Sequence, residues 1–280
     1  MTEDRLPPPT DDPGPPDTAG PFRTALLNRI LNILREERDP AFDFVQARPV
    51  PWAPVVKPVS ESTIALVSTG GLHRRGEVPF DVMTSPWGDT GFRIVPHGTP
   101  HAELDLEADY IDEKYIRQDP EVTLPMAALE ALVARGAVGR AAARHYSFCE
   151  GIMRPLPGIA DSAAAVADLM RADAVDAVVL LPTCSLCVQT ISLVAVELER
   201  RGLPTVVVSL LPELTEHVGA PRPLHVRYPF GAPCGDPHNR GLHQATLTAA
   251  LDWLAEARVP GEARHSPLKW RGEYVDAADG

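Results

Sequence analysis

The sequence lacks long apolar runs. Because no stretch of ~18 apolar residues occurs, we expect no transmembrane helix. Its first residues are acidic and rich in proline, without the basic and apolar regions of a signal peptide, and we expect a cytoplasmic protein. Basic residues are outnumbered, with 26 Lys and Arg against 38 Asp and Glu and a net charge of −12. Because no basic stripe interrupts this acidic chain, we expect it to bind neither nucleic acid nor a membrane.

Cysteine is also scarce, since Cys149, Cys184, Cys187 and Cys234 are the four in the chain. In a chain without an export signal, so few cysteines argue against a scaffold of structural disulfides. Free thiols, a metal site or redox chemistry are the roles that remain. Neither GxGxxG nor a Walker motif is present, so the sequence does not support nucleotide binding.

Proline, by contrast, is abundant, with 30 in 280 residues. Seven of these prolines fall in residues 1–21, which contain no aromatic residue. Because this segment cannot bury enough apolar surface to offset the entropy lost on ordering, we predict a disordered, proline-rich N-terminal tail. Residues 22–60 predict a helix followed by a proline-rich connector, and residues 259–280 predict a polar C-terminal tail.

Residues 61–258 have the pattern of an α/β domain. Strands predicted at 174–181 and 205–210 are apolar along almost their whole length, and a helix over residues 189–201 is predicted between them. Such strands are typical of a parallel sheet with helices on both faces, as in Rossmann and flavodoxin-like folds. The pattern also allows two similar α/β halves, at about 61–155 and 156–258.

The motif Cys184-x-x-Cys187 follows the strand at 174–181 and opens the next helix. Open α/β sheets bind ligands at this edge, and a thiol at a helix N-terminus faces unpaired N–H groups that favour the thiolate. Since the second cysteine lies one turn further on, we predict Cys184 as nucleophile and Cys187 as resolving thiol. A lone CxxC motif also allows half of a zinc site, or buried thiols that only pack.

Cys234 lies in a turn-rich loop after a predicted strand at 224–228, and we expect this loop at the same edge of the sheet. It could be a metal ligand, a second nucleophile or neither. His97 and His101 have the spacing of metal ligands on one helical face, although Gly98 argues against a helix there. Solvated loop histidines, or a proton donor to a leaving group, are the alternatives.

The strand predicted at 63–68 is followed by a turn that contains Gly70 and Gly71. His73 and a pair of arginines beginning at Arg74 come after this turn. These groups could hold a carboxylate or phosphate, or the arginines could simply cover the surface. The candidates for substrate binding or acid–base work are Gly70, Gly71, His73, Arg74, His97, His101, His145 and Cys234. The candidate metal ligands are Cys184, Cys187, Cys234, His97 and His101.

Eight short motifs occur along the chain in a particular order. They are STGG at 68–71, PFD at 79–81, GD at 88–89, FRIVP at 92–96, HYSF at 145–148, LPTCSLC at 181–187, PR at 221–222 and YPFG at 228–231. Together these motifs resemble the selenoprotein B family, which contains the B-type subunits of glycine, sarcosine and betaine reductases and of D-proline reductase. The resemblance covers roughly residues 60–240.

The resemblance implies that Cys184 takes the position of a selenocysteine and Cys187 that of the resolving cysteine. It also implies reductive cleavage at the α-carbon of a small amine or imino acid. We therefore expect a thiol-dependent oxidoreductase acting on a small polar substrate, which could be an amine, an imino acid or a sulfur compound. No cofactor is evident, and an external dithiol or thioredoxin-like protein would restore the thiols.

Three further points stay open from the sequence. A zinc, copper or iron site could be built from Cys184, Cys187 and nearby cysteines or histidines. The chain could instead be a non-catalytic subunit of a reductase complex. It could also need a partner subunit or assemble with copies of itself.

Overall fold

The computed structural model describes residues 25–85, 87–108 and 113–274. The tail predicted at residues 1–21 lies outside these ranges. The chain divides into two compact units between Ala41 and Phe42. The first unit contains helix α1, Ala25–Glu37, which begins the predicted helix-and-connector segment.

The second unit contains the remaining helices and all of the described strands. The strands are β1 Thr63–Ser68, β2 Leu72–Arg74, β3 Phe92–Pro96, β4 Leu104–Leu106, β5 Arg140–Ala141, β6 Arg144–Phe148, β7 Ala177–Leu181, β8 Thr205–Ser209, β9 Pro223–Arg227 and β10 Arg264–Lys269. The helices are α2 Lys114–Gln118, α3 Met126–Ala134, α4 Gly158–Ala172, α5 Ser185–Arg200, α6 Pro212–Val218 and α7 Arg240–Glu256. None of the described helices is both long enough and apolar enough to cross a membrane.

The larger sheet has the strand order β10-β9-β8-β7-β1-β6-β3, and β5 pairs with β1 beside β6. All neighbours run parallel except β3, which is antiparallel to β6. Strands β1, β7 and β8 are buried along their whole length, as expected for a sheet covered on both faces. This mostly parallel sheet confirms the predicted α/β class.

Strand β1 lies at the point where the order of the strands reverses. The chain passes from β1 to β6 through α3, and then crosses back over β1 to reach β7 through α4. Right-handed connections that run in opposite directions place their helices on opposite faces of the sheet. Accordingly, α4, α5 and α6 pack side by side, with no comparable contact from their described residues to α3. Helix α7, which follows β9, packs with α3. The carboxyl ends of β6, β1 and β7 therefore border the crevice where such sheets bind ligands.

Three boundaries differ from the sequence-based expectation. Residues 264–269, predicted within a polar tail, form β10, whose residues alternate between half-buried and exposed beside β9. An edge strand exposes every second side chain, so its sequence contains many polar residues. For this reason the sequence of β10 resembles that of a polar tail. Helix α5 begins at Ser185, four residues before its predicted start, because Cys184 caps it. Strands from both predicted halves enter one continuous sheet.

A buried ion pair fastens the proline-rich connector to the sheet. Glu199 of α5 accepts hydrogen bonds from Arg222 and from the backbone N–H groups of Ala53 and Thr205. Arg222 in turn donates to the carbonyl of Ala53 at 2.6 Å, and its guanidinium lies 3.5 Å from the centre of the Trp52 ring. Both charged side chains are almost completely buried. Each charge therefore depends on the other for its compensation.

Replacing Arg222 by methionine should lower the free energy of unfolding by about 3–5 kcal/mol, because the Glu199 carboxylate stays buried without its partner. Urea denaturation monitored by circular dichroism measures this. The control is Lys57→Met, which removes a half-exposed partner of Asp176 and should cost no more than about 1 kcal/mol. Equal costs for the two variants would contradict a structural role of the buried pair.

Candidate functional site

The two cysteines of the CxxC motif lie where β7 turns into α5. Cys184 is the N-cap of α5, and its Sγ accepts a hydrogen bond from the backbone N–H of Cys187 at 3.2 Å. Both are free thiols. Both residues are buried, but Cys184 keeps 7% of its surface exposed and Cys187 none, so Cys184 is the more exposed of the two.

The Cys187 sulfur is surrounded by groups that follow three neighbouring strands. The hydroxyl of Thr183, after β7, lies 3.2 Å from Sγ, and the carbonyl oxygen of Thr69, after β1, lies 3.9 Å away. The backbone of Gly151, after β6, and the Cys184 side chain also form hydrogen bonds to this sulfur. The strand order β7-β1-β6 therefore assembles the site.

These contacts give the two thiols different pKa values. Burial opposes ionisation of Cys187, but hydrogen bonds from Cys184 and Thr183 outweigh it and lower the Cys187 pKa to about 6. Burial, followed by the hydrogen bond to Cys187 and the charge on it, raises the pKa of Cys184 above its usual value. These contacts therefore favour Cys187 as the thiol of the pair that ionises first. The helix N-terminus alone had suggested the charge on Cys184.

Glu150 is a neighbour of the pair that the sequence did not single out. It lies two residues after the end of β6 and is 1% exposed. Its negative charge raises the pKa of Cys184 and that of Cys149. A buried carboxyl near a thiol is a candidate for accepting or delivering a proton. The signal available in the sequence was an acidic residue beside Cys149, just after the HYSF motif.

The other two cysteines are held as thiols. Burial raises the pKa of Cys149 to about 12, which fits a packing role. Burial also raises the pKa of Cys234, whose Sγ lies 3.5 Å from the carbonyl oxygen of His243. The backbone N–H of Cys234 donates to Val122, so its loop is fastened to the segment before α3.

His97 and His145 form a separate cluster. Because β3 is antiparallel to β6, His97 lies beside the amino end of β6, a strand length from the thiols. The Leu66 N–H donates to His145 Nδ1, so His145 Nε2 must carry the hydrogen donated to His97 Nδ1 at 2.9 Å. His97 Nε2 then donates to Glu130 at 2.9 Å. Burial and the adjacent His97 lower the pKa of His145 to about 3.

His101 lies in a cavity of about 410 Å³ at the start of α3. Its hydrogen bond to Glu121, 3.1 Å long, raises the His101 pKa although burial opposes this. Glu121 also accepts the N–H groups of Ala127 and Ala128 and so caps α3. The carboxylate beside His101 is therefore already used in holding the helix.

Gly70 and Gly71, which follow β1, have a structural role in the turn. Gly71 has φ +66°, and its N–H donates to Phe148 at 3.1 Å, so it joins the ends of β1 and β6. A side chain there would collide with the Glu107 carbonyl at 2.0 Å. Gly70 lies in the same turn, and a side chain on it would meet the Thr123 hydroxyl.

The two polar residues that follow lie in β2. His73 is buried and lies 3.1 Å from the Arg74 carbonyl through Nδ1. Arg74 is exposed and faces Glu77 at 3.7 Å. The arginine therefore has an acidic neighbour in its own turn and is not directed at the thiols.

The candidate metal ligands do not converge on one point. Cys184 lies with Cys187, whereas Cys234 contacts α7, His97 contacts His145, and His101 contacts Glu121. Within residues 25–85, 87–108 and 113–274, no group of three or more His, Cys, Asp or Glu residues is arranged to hold a metal ion. These donors do not fit a metal centre.

Curated proteins similar to this chain are subunits of reductases. D-proline reductase subunit gamma of Acetoanaerobium sticklandii is 26% identical over 233 residues, 83% of this chain and 93% of that subunit. Glycine reductase complex component B subunit gamma of Carboxydothermus hydrogenoformans is 29% identical over 72% of the chain. Betaine reductase complex component B subunit beta of Peptoclostridium acidaminophilum is 28% identical over 64% of the chain.

The match differs in extent among these relatives. It covers 46% of the glycine reductase subunit and 41% of the betaine reductase subunit, so the chain spans less than half of each. No family model matches the chain. No solved structure matches it either.

Acid should destabilise the fold through His145. Between its unfolded pKa of ~6.5 and its folded pKa of about 3, the unfolded chain binds a proton that the folded chain does not. The free energy of unfolding should therefore fall as pH falls through this window, by up to about 1.4 kcal/mol per pH unit for this group. Urea denaturation at several pH values measures the slope.

The variant His145→Asn keeps an acceptor for the Leu66 N–H but cannot titrate, so its slope should be smaller by about one proton. Glu130→Gln alters the same chain of hydrogen bonds at its exposed end but keeps the buried imidazole, and it is the control for disturbing that chain. An unchanged slope in His145→Asn would refute this assignment.

Proposed function

The chain is a cysteine-containing homologue of the selenoprotein B family, as its motifs predicted, and we propose that it is a thiol-dependent reductase. The observation that carries this proposal is the pair Cys184 and Cys187, hydrogen-bonded at the N-terminus of α5 beside the crevice of the sheet. The relatives are components of reductase complexes, which supports a reductase-related role. The dithiol supplies two electrons, which is what a reductive bond cleavage consumes.

The chemistry starts from the singly ionised pair. The shared proton passes from Cys184 to Cys187, and the Cys184 thiolate attacks the substrate at the atom that bears the leaving group. That group departs with its electron pair and takes a proton. Cys187 then loses its proton and attacks Cys184 Sγ, which forms the disulfide and releases the substrate with the bonding pair and a proton. The substrate gains two electrons and two protons.

The substrate that best suits this step is a small polar molecule with a cleavable bond to carbon. The names of the relatives refer to D-proline, glycine and betaine. We infer a small amine or imino acid for this chain, with a sulfur compound as the alternative. Since the disulfide must be reduced for a second turnover, an external dithiol or a thioredoxin-like protein completes the cycle.

Glu150 is the group we assign to proton delivery in this sequence of steps. Its buried carboxyl lies near enough to Cys184 to raise the pKa of that thiol by its charge. In its protonated form it can donate to the leaving group, and in its ionised form it can accept the Cys187 proton.

A second candidate function is that of a non-catalytic subunit. The names of the relatives give them as gamma or beta subunits of complexes, which favours a partner subunit for this chain. In that case the pair Cys184 and Cys187 would contribute to packing, and replacing both by serine would leave the activity of the assembled complex unchanged.

Mild oxidation with diamide should produce a disulfide between Cys184 and Cys187, because their side chains are already hydrogen-bonded to each other. Peptide mapping by mass spectrometry under non-reducing conditions identifies it. The variants Cys149→Ser and Cys234→Ser are matched controls and should form the same disulfide, while Cys184→Ser should not. Full retention of free thiols in the wild type would rule out the proposed cycle.

Replacing Glu150 by glutamine should have two effects of opposite sign. The pKa of Cys184 should fall, because a like charge is removed. Turnover of a reducible amine or imino acid with dithiothreitol should nevertheless fall by about 10²-fold or more, because proton delivery is lost. Thiol alkylation rates against pH measure the first effect and steady-state kinetics the second. A variant that turns over faster than wild type would contradict the assigned role.

A further inference from the structure

Thr183 is a buried residue that no catalytic prediction included. It is fully inaccessible to solvent, and its backbone is fixed on both sides. Its N–H donates to Thr69 Oγ1 at 3.2 Å, and its carbonyl accepts from Gly231 at 2.7 Å. The side chain therefore stands on a rigid segment between β7 and α5.

The hydroxyl of Thr183 has two acceptors within reach and one hydrogen to donate. The Thr69 carbonyl oxygen is 3.1 Å away and the Cys187 sulfur is 3.2 Å away. A charged sulfur is a stronger acceptor than a carbonyl, whereas a neutral sulfur is a weaker one. The partner that the hydroxyl selects thus depends on the state of Cys187.

The Thr69 carbonyl oxygen can accept the Thr183 hydroxyl when Cys187 is neutral. When Cys187 carries its proton, its S–H can point to the Thr69 carbonyl at 3.9 Å, and that oxygen has two lone pairs to receive both donors. When Cys187 is in a disulfide, the Thr183 hydroxyl still has the Thr69 oxygen as its acceptor. No state of the sulfur leaves the buried hydroxyl unsatisfied.

We propose that Thr183 is a positioning residue whose hydroxyl switches between the Thr69 carbonyl and the Cys187 sulfur, stabilising the thiolate in the reduced protein. The inference deepens the proposed function, on which it rests only for the role of Cys187 as resolving thiol. Because the switch favours the reduced, ionised pair over the disulfide, it makes the pair more oxidising. It also raises the fraction of Cys187 that is ionised.

The variants Thr183→Val and Thr183→Ser test this in the full-length chain. Valine keeps the branched shape without the hydroxyl, and serine keeps the hydroxyl. Titration of the ultraviolet absorbance of the thiolate should show the first ionisation of the pair raised by about 1–2 pH units in Thr183→Val. Thr183→Ser should titrate within a few tenths of a unit of wild type. Cys149 and Cys234 do not interfere because burial raises the pKa of each.

A redox titration against glutathione gives a second measurement. Since the thiolate is stabilised only in the reduced protein, the equilibrium constant for reducing the Cys184–Cys187 disulfide should fall by up to about tenfold in Thr183→Val at neutral pH. Thr183→Ser should restore the wild-type value. Should Thr183→Val fail to fold by circular dichroism, Thr183→Ala, which also lacks the hydroxyl, takes its place.

The outcomes separate this inference from the proposed function. A disulfide that forms in wild type while Thr183→Val titrates like wild type overturns the role of Thr183 alone. A shift in Thr183→Ser as large as that in Thr183→Val also overturns it, because shape would then be the cause. Loss of disulfide formation in wild type overturns the redox cycle, whereas the effect of Thr183 on thiolate formation would still be measured. A wild-type pair that ionises no more readily than free cysteine overturns the switch.

Discussion

The hydrogen bond from the Cys187 N–H to the Cys184 sulfur is the contact on which the site depends. A helix leaves its first N–H groups unsatisfied, and here a thiol takes the place that serine or aspartate usually fills. The cap fixes where α5 begins, and it places the two sulfurs one turn apart. Folding and chemistry thus share a contact, which strengthens when the sulfur is charged.

The arrangement of the sheet supplies everything else around that cap. Thr69, Gly151 and Thr183 are far apart in the chain, yet each lies within three residues of the end of one of three adjacent parallel strands. Because the crossover from β6 to β7 passes over β1, their positions meet at one edge of the sheet. The buried ion pair of Glu199 and Arg222 anchors the proline-rich connector to the far end of α5. The thiols therefore sit at the opposite, N-terminal end of a helix that is held at both ends.

Local patterns were enough to predict the parallel α/β class and the place of Cys184 at a strand-to-helix turn. Long-range geometry was not available from them. The antiparallel direction of β3, which separates His97 from the thiols, cannot be predicted from the local sequence of that strand. The alternating exposure of β10 hid a strand in a polar segment. Glu150 and Thr183 stand out only once the strand order brings their loops together, since each alone is an ordinary polar residue after a strand.

The difference in pKa between the two thiols suits a site whose nucleophile is a thiolate. A thiolate stabilised by hydrogen bonds forms readily, but its nucleophilicity falls as its pKa falls. If the exposed sulfur received all of those hydrogen bonds, it would be ionised but less reactive. Here Cys187 receives most of them and has the lower pKa, while Cys184 receives fewer and is the more exposed of the two residues. In the proposed cycle, a proton exchanged between the two creates a reactive thiolate on Cys184, and Cys187 keeps the negative charge available until an electrophile arrives.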